Sequence, residues 1–243
     1  GTPRLNPAAL AIIIQKEVGI ETVVHITTRD QSINGLQGYL KGLHLIGIRN
    51  LLLVTGDPPK MSADYPISTG VFDMDSIGLI RMVNGFNHGI DPGGKILDGG
   101  PTSFVIGAGC DPGSPNPETE ISRYIMKVEA GAEFFFSQPL YDIELLINFL
   151  EKVKDHRPIS FFVGVLPIPS LKRAQYFNEN IPGLRIPPKV MNRLAKENTL
   201  EGQRRVGIEI AREILAEAKK LDVVKGAYIF PAGIYESVKE VIS

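Results

Sequence analysis

One grammar recurs along the chain and leaves few folds open to it: an amphipathic helix, a glycine, a short apolar strand and a polar turn. The clearest units are a helix over 7–18, Gly19 and a strand over 22–27; a helix over 32–46, Gly47 and a strand over 50–55; and a helix over 117–130, Gly131 and a strand over 133–138. Asn6 and Asn116 stand where N-caps belong, each followed by a proline suited to the first helical position. Glu118 and Glu120 favour the positive end of the third helix. Three further strands are expected over 103–108, 159–166 and 225–230, with helices over 74–86, 143–154, 171–178, 188–197, 200–220 and 235–242. Near-continuous apolar strands alternating with helices predict a parallel sheet covered on its faces, hence an α/β fold. Six strands fall two short of an eight-stranded barrel, and a helix comes first, so the pattern by itself slightly favours an open doubly wound sheet.

The 243 residues, 43% of them hydrophobic, suffice for one large core. No charge tract or Ser-rich linker divides them, so a single domain over 1–243 is expected. Lys plus Arg (26) nearly balances Asp plus Glu (27), which argues against a nucleic-acid or anionic-membrane partner held by bulk charge. Cys110 is the sole cysteine, so no intramolecular disulfide forms and a reducing, cytoplasmic setting is expected. There is no run of apolar residues of membrane-spanning length, and Gly1-Thr2-Pro3-Arg4 lacks the layout of a signal peptide.

In either parallel architecture, chemistry gathers at the carboxyl ends of the strands. Asp57 follows a wholly apolar strand and a glycine that lets a ligand near the backbone; its carboxylate can accept two N–H bonds from a flat heterocycle. The plainer reading is an Asx-turn residue before Pro58-Pro59. Gln138 closes a Phe-Phe-Phe strand with an amide that both donates and accepts, or is simply bonded to a loop. Gly107-Ala108-Gly109 lacks the third glycine of a dinucleotide fingerprint. Spacing alone makes Lys127 a solvated lysine at a helix C-terminus, His25 a satisfied core histidine and Cys110 a small buried side chain. His25, His44, His88 and His156 share no ligand spacing, so no metal site is expected.

Five segments, in order, resemble the methylenetetrahydrofolate reductase family: HITTRD (25–30), GIRNLLLVTGDPP (47–59), KVEAGAEFFFSQPLYD (127–142), GVLPIPSLKRAQYF (164–177) and GLRIPPKVM (183–191). The likeness runs from about residue 3 to the end. DYPISTGVFDMDSIGLI (64–80) is most similar to the reductase half of fused homocysteine methyltransferase–reductases. The resemblance implies a (β/α)8 TIM barrel in place of the open sheet, the six strands then being the third to the eighth, with the first two missing from this chain. The family's general acid, a glutamate on the first strand, has no counterpart here.

The resemblance further implies a flavin, FAD with FMN as the alternative, and a reduced nicotinamide or other electron donor. Asp57 and Gln138 would bind the pterin of the folate, with Asp57 also tuning the flavin. His25, Thr55, Gly56 and Lys127 would line the flavin site, Glu120 would contact it near a ribose, and Ala132 would pack beside the flavin-binding helix. Phe177 would stack on folate or nicotinamide, and Arg173 would make a polar folate contact. Three departures stand out: Ile234 where relatives carry an arginine for the folate tail, Gly109 for a bulkier flavin-loop residue, and Arg123 with Met126 for the usual pair on the flavin helix.

The implied activity is reduction of 5,10-methylenetetrahydrofolate to 5-methyltetrahydrofolate. The implied partners are a folate, a fused or separate methyltransferase or electron-donor subunit, and further copies of the chain. Two alternatives are a non-catalytic flavin- or pterin-binding barrel subunit of a larger complex, and an unrelated barrel enzyme acting on a small anion.

Overall fold

The computed structural model describes residues 5–61, 65–156, 159–181, 183–231 and 233–243. The signal-peptide reading of 1–4 and the start of the segment 64–80 lie outside them. The chain falls into two compact units, Gly1–Gly109 with Met126–Glu133, and Cys110–Ile125 with Phe134–Ser243.

In the first unit, β1 (Val23–Thr27), β2 (Asn50–Val54) and β3 (Val105–Cys110) run parallel in that order. His25 pairs with Leu52, and Leu52 with Gly107. Val24, Ile26, Leu51, Leu53, Ile106 and Ala108 are buried, as are Leu36, Leu40 and Leu43 of α2 (Ile33–Leu45) and Leu79, Ile80, Val83 and Phe86 of α3 (Ser76–Asn87). Ser32 and Asp75 cap these helices through Gly35 and Gly78 N–H.

Two expectations change here. The first helix is α-helical only over Pro7–Ile13 (α1), where Asn6 caps it through Ala8 and Ala9 N–H. It then widens into a π turn over Ile14–Val18 and stops at Gly19, whose φ of 74° favours glycine. The side chain of Gln15 accepts from Thr22 N–H (3.4 Å) and Thr22 Oγ1 (2.7 Å) across this stop. β3 begins two residues later than expected and runs two further. The Asn87 amide occupies both Phe104 backbone groups at 2.8 Å, so pairing opens with Val105 N–H on the Arg49 carbonyl. Gly107-Ala108-Gly109 therefore lies inside a strand, which removes it as a phosphate-binding turn.

In the second unit, β4 (Phe134–Pro139), β5 (Ser160–Val165) and β6 (Val224–Ile229) are parallel neighbours in that order. Phe135, Phe161, Val163 and Val165 are buried on one face. On the other, Phe136 stacks on Tyr228 (4.6 Å, 20°) and meets Phe162 edge-on. The helices are α5 (Ile143–Val153), α6 (Leu171–Asn180), α7 (Pro188–Ala195), α8 (Leu200–Ala218) and α9 (Glu236–Ile242). A cluster of Tyr141, Leu166, Ile168, Leu194, Val206 and Ile210 binds α7 and α8 to the segment after β5. At Gly207 a Cβ would stand 2.0 Å from the Ile168 carbonyl oxygen. Arg204 and Arg212 both hold Glu240, fastening α9 to α8.

The helix α4 (Pro117–Ala130) matches its expected bounds and contributes residues to both units. Among the described residues no helix is long and apolar enough to cross a membrane.

Candidate functional site

At the end of β2 the chain turns through Thr55, Gly56 and Asp57, and β1 braces that turn. Buried Thr28 donates its N–H to the Val54 carbonyl (3.3 Å) and its hydroxyl to the Thr55 carbonyl (3.2 Å). Thr55 Oγ1 accepts the Ser76 N–H at 3.0 Å, joining the turn to the start of α3. Gly56 has a φ of 85°, and a Cβ there would press on Thr27 and Arg29 at 3.1–3.3 Å. That left-handed turn redirects the chain, and Asp57 emerges exposed, its carboxylate without a hydrogen-bond partner among the described residues.

Sequence reasoning missed Arg29 as part of this assembly. Its guanidinium makes two 2.8 Å bonds to Asp30 and donates to the Asp57 carbonyl oxygen at 3.3 Å. Asp30 and, more weakly, the Asp57 charge hold Arg29 above its ordinary range, and Arg29 holds Asp30 below the usual carboxylate range. Val71 N–H donates to the Arg29 carbonyl at 2.7 Å, so the same residue also anchors the loop after β2. The signal available was the Arg29-Asp30 pair itself, directly after a strand end.

His25 departs from the core reading. It projects from β1 opposite buried Val24 and Ile26 and keeps accessible surface, yet enough protein surrounds the ring to disfavour its charged form and lower its pKa. Lys127 departs from the solvated reading: it is 7% exposed and donates to the Gly109 carbonyl at 2.6 Å. Ala132 is fully buried and its N–H closes on the Lys127 carbonyl at 3.0 Å. Gly131 before it has a φ of 119°, and a Cβ there would meet the Asn84 side chain at 2.7 Å.

In the second unit Glu120 accepts the Asp111 N–H at 3.0 Å. Gln138 is exposed at the end of β4 and its side-chain amide makes no hydrogen bond among the described residues. Arg173 lies over the rings of Tyr176 (5.0 Å) and Phe177 (4.9 Å). Phe177 is 6% exposed within the α6–α8 core, and the ring that reaches solvent in this turn is Tyr176. A cavity of about 360 Å³ opens beside these elements, walled by Leu140, Tyr141, Leu145 and Ile186 with Asp111 and Arg185 at its edge. Arg185 reaches the Gly113 carbonyl at 2.7 Å and lies 3.7 Å from Asp111, whose carboxyl burial nonetheless pushes up. Cys110 is buried and forms no disulfide. Among the described residues no three His, Cys, Asp or Glu side chains converge as a metal site would require.

Asp57 in the first unit and Gln138 in the second each carry a side-chain group with no hydrogen bond among the described residues. The family model of methylenetetrahydrofolate reductase matches residues 2–241. The chain belongs to this family. Methylenetetrahydrofolate reductase 1 of Schizosaccharomyces pombe is 26% identical over 252 residues, covering 100% of this chain and 38% of the relative. The 5,10-methylenetetrahydrofolate reductase of Buchnera aphidicola subsp. Schizaphis graminum is 25% identical, covering 85% of this chain and 66% of the relative. The chain thus spans between about a third and two thirds of the length of these two methylenetetrahydrofolate reductases. Among solved structures, an uncharacterized protein from Clostridium thermocellum, described as binding two copies of 5-methyl-5,6,7,8-tetrahydrofolic acid, superposes with a TM-score of 0.62 at 15% identity. It covers 95% of this chain and 74% of its own. At that identity the likeness is one of fold.

Proposed function

We propose that this chain is the flavin- and folate-binding barrel of a methylenetetrahydrofolate reductase, which reduces 5,10-methylenetetrahydrofolate to 5-methyltetrahydrofolate. The observation that carries the reading is Asp57: an ionisable side chain set beyond an apolar strand, braced through its backbone by Arg29, its carboxylate making no hydrogen bond among the described residues. Among the described residues that carboxylate meets only the charge of Arg29, which leaves its acceptor sites available to a ligand. Family membership supports the reaction, and the folate-binding structural relative supports the ligand class.

The residues fit a flavin in their chemistry. Lys127 is a buried cation suited to a phosphate, and Gly56 keeps the end of β2 free of a side chain. His25, Thr55, Gly56, Asp57, Lys127 and Ala132 would hold FAD. When bound, the flavin supplies the hydride, itself taken from a reduced nicotinamide or another donor. Asp57 accepts the N–H edge of the pterin and stabilises the positive charge that develops on the substrate as its five-membered ring opens. Gln138, at the end of β4, can both donate to and accept from a pterin edge. Arg173 serves the polar part of the folate, while the burial of Phe177 in the α6–α8 core speaks against its stacking on a ligand. Asp57 also opposes addition of electrons to a neighbouring ring system. The ring-opening proton is assigned to no residue here.

β1 pairs only with β2, and β6 only with β5, among the described residues. Free outer edges of this kind support the (β/α)8 barrel reading over an isolated finished sheet.

Asp57→Asn keeps the shape and removes the charge. In stopped-flow half-reactions of the protein that contains this chain, flavin reduction by the donor should persist and the flavin potential should rise. Oxidation by folate should slow about 10²-fold or more, the scale of losing one preorganised electrostatic group. Wild-type speed in the folate half-reaction would reduce Asp57 to a turn residue and overturn the assignment.

A further inference from the structure

β4 does not keep step with β5. Phe136 pairs with Phe162 and Pro139 with Gly164, so β4 advances three residues while β5 advances two. The surplus residue is a β-bulge, and such insertions re-aim a side chain at the cost of ladder hydrogen bonds. It falls on Ser137-Gln138, directly before the exposed amide.

The groups the bulge displaces are taken up by one hydroxyl. Ser137 is 2% exposed; its Oγ accepts the Gly164 N–H at 2.7 Å and donates to the Gln138 carbonyl at 2.8 Å. The Leu140 N–H then returns to the Gly164 carbonyl at 2.9 Å and resumes the pairing. Gly164 is needed on the other side: a Cβ there would lie 2.3 Å from the Ser137 carbonyl oxygen and 2.8 Å from that of Gln138. The bulged backbone is thus pressed onto a residue without a side chain and bonded there through Ser137. A turn held only by its ends would let the Gln138 amide sample many directions, whereas this one fixes the peptide from which the amide springs.

The geometry points to Ser137 as the residue that positions Gln138 for the pterin, acting through the bulge it closes against Gly164. The inference rests on the reading of Gln138 as a pterin contact given above, and deepens it. Because Ser137 works only through its neighbour, removing its hydroxyl should matter only while Gln138 is present. A residue that merely stabilised the strand would show no such dependence.

The test is a double-mutant cycle in the protein that contains this chain, with affinity for 5-methyltetrahydrofolate measured by calorimetry. Ser137→Ala should weaken binding about tenfold, the effect of loosening one well-aimed hydrogen-bonding group. In the Gln138→Ala background the same change should cost less than about twofold, and Ser137→Thr, which keeps the hydroxyl, should recover most of the affinity. Equal loss in both backgrounds, or no loss in either, overturns the positioning role. No effect of Gln138→Ala alone overturns the contact and this inference with it, and a wild-type protein that does not bind the probe overturns the functional reading itself. Should Ser137→Ala not fold, Ser137→Cys keeps the volume while weakening both bonds, and the same dependence on Gln138 is expected.

Discussion

The ammonium of Lys127 donates to the carbonyl oxygen of Gly109 at 2.6 Å, tying the last turn of α4 to β3 from a buried position. A buried charge carries a desolvation cost that it recovers only through such bonds. Lys127→Met fills similar space but leaves the Gly109 carbonyl without this donor, so stability should fall by about 1–3 kcal/mol. If Lys127 also meets the flavin, FAD affinity should drop by about tenfold or more with the loss of a charge-assisted bond. Urea denaturation and a flavin titration separate the two effects. An unchanged flavin affinity in a folded variant would leave Lys127 a purely structural cation.

Ala132 offers a steric route to the same question. It is fully buried directly after Gly131, with its N–H on the Lys127 carbonyl. Ala132→Val adds two carbons where there is no room, and overpacking of this kind costs about 1–3 kcal/mol. The strain bears on the end of α4 that carries Lys127, so FAD should dissociate faster from the mutant. Equal dissociation rates for the two proteins would detach this position from the cofactor.

Gly207 decides between two opposing rules. Replacing a mid-helix glycine by alanine ordinarily stabilises by about 0.5–1 kcal/mol. Here the new Cβ would sit 2.0 Å from the Ile168 oxygen, with Ile168 C and N both at 2.8 Å. These are backbone atoms that cannot rotate away, so the clash wins. Gly207→Ala should destabilise by about 1–3 kcal/mol or more, read as a lower urea midpoint.

The pH response of His25 has a definite sign. Burial lowers its folded pKa from the ordinary 6.5, so above that pH the ring is neutral in both folded and unfolded chains and has no effect. As pH falls below about 6.5 the unfolded chain takes up the proton first, and stability declines until the folded pKa is passed. The ring keeps accessible surface, which makes the effect modest. Asp111 acts in the opposite sense, since burial raises its carboxyl. The measurement is therefore the difference between wild type and His25→Gln in urea midpoints at pH 8 and pH 5. The variant should lose less stability on acidification, and identical losses would refute the shift.

Local signals carried the elements well where they were complete. The Asn116-Pro117 start and the Gly131 stop bracket α4 at its observed ends. They failed where a distant side chain intervened. Nothing near Ser103 reveals that the Asn87 amide will occupy the Phe104 backbone and delay β3. Asp57 and Gln138 stand out in the sequence because each is a polar end to an apolar strand, and both side chains are exposed in the structure. The supporting residues do not stand out in the sequence. Arg29 reaches Asp57 across 28 positions of sequence, and Ser137 meets Gly164 across 27. Lys127 reads as a surface lysine until β3 brings the Gly109 carbonyl to it. The bulge in β4 is invisible in sequence for a related reason: it is a mismatch between two strands, and neither strand contains it alone.

The π turn at the end of α1 bears on how much length variation this part of the chain can absorb. A π turn accommodates one residue more than an α-helical ladder requires. The surplus is spent between Ile14 and Val18, ahead of Gly19 and of the bonds from Gln15 to Thr22. Removing one residue after Gln15 should therefore tighten this turn to α-helical geometry, with Thr22 still held. A deletion inside β1 would instead exchange the two faces of the strand and turn His25 inward. The helix serves as a length buffer upstream of a strand whose alternation has no slack.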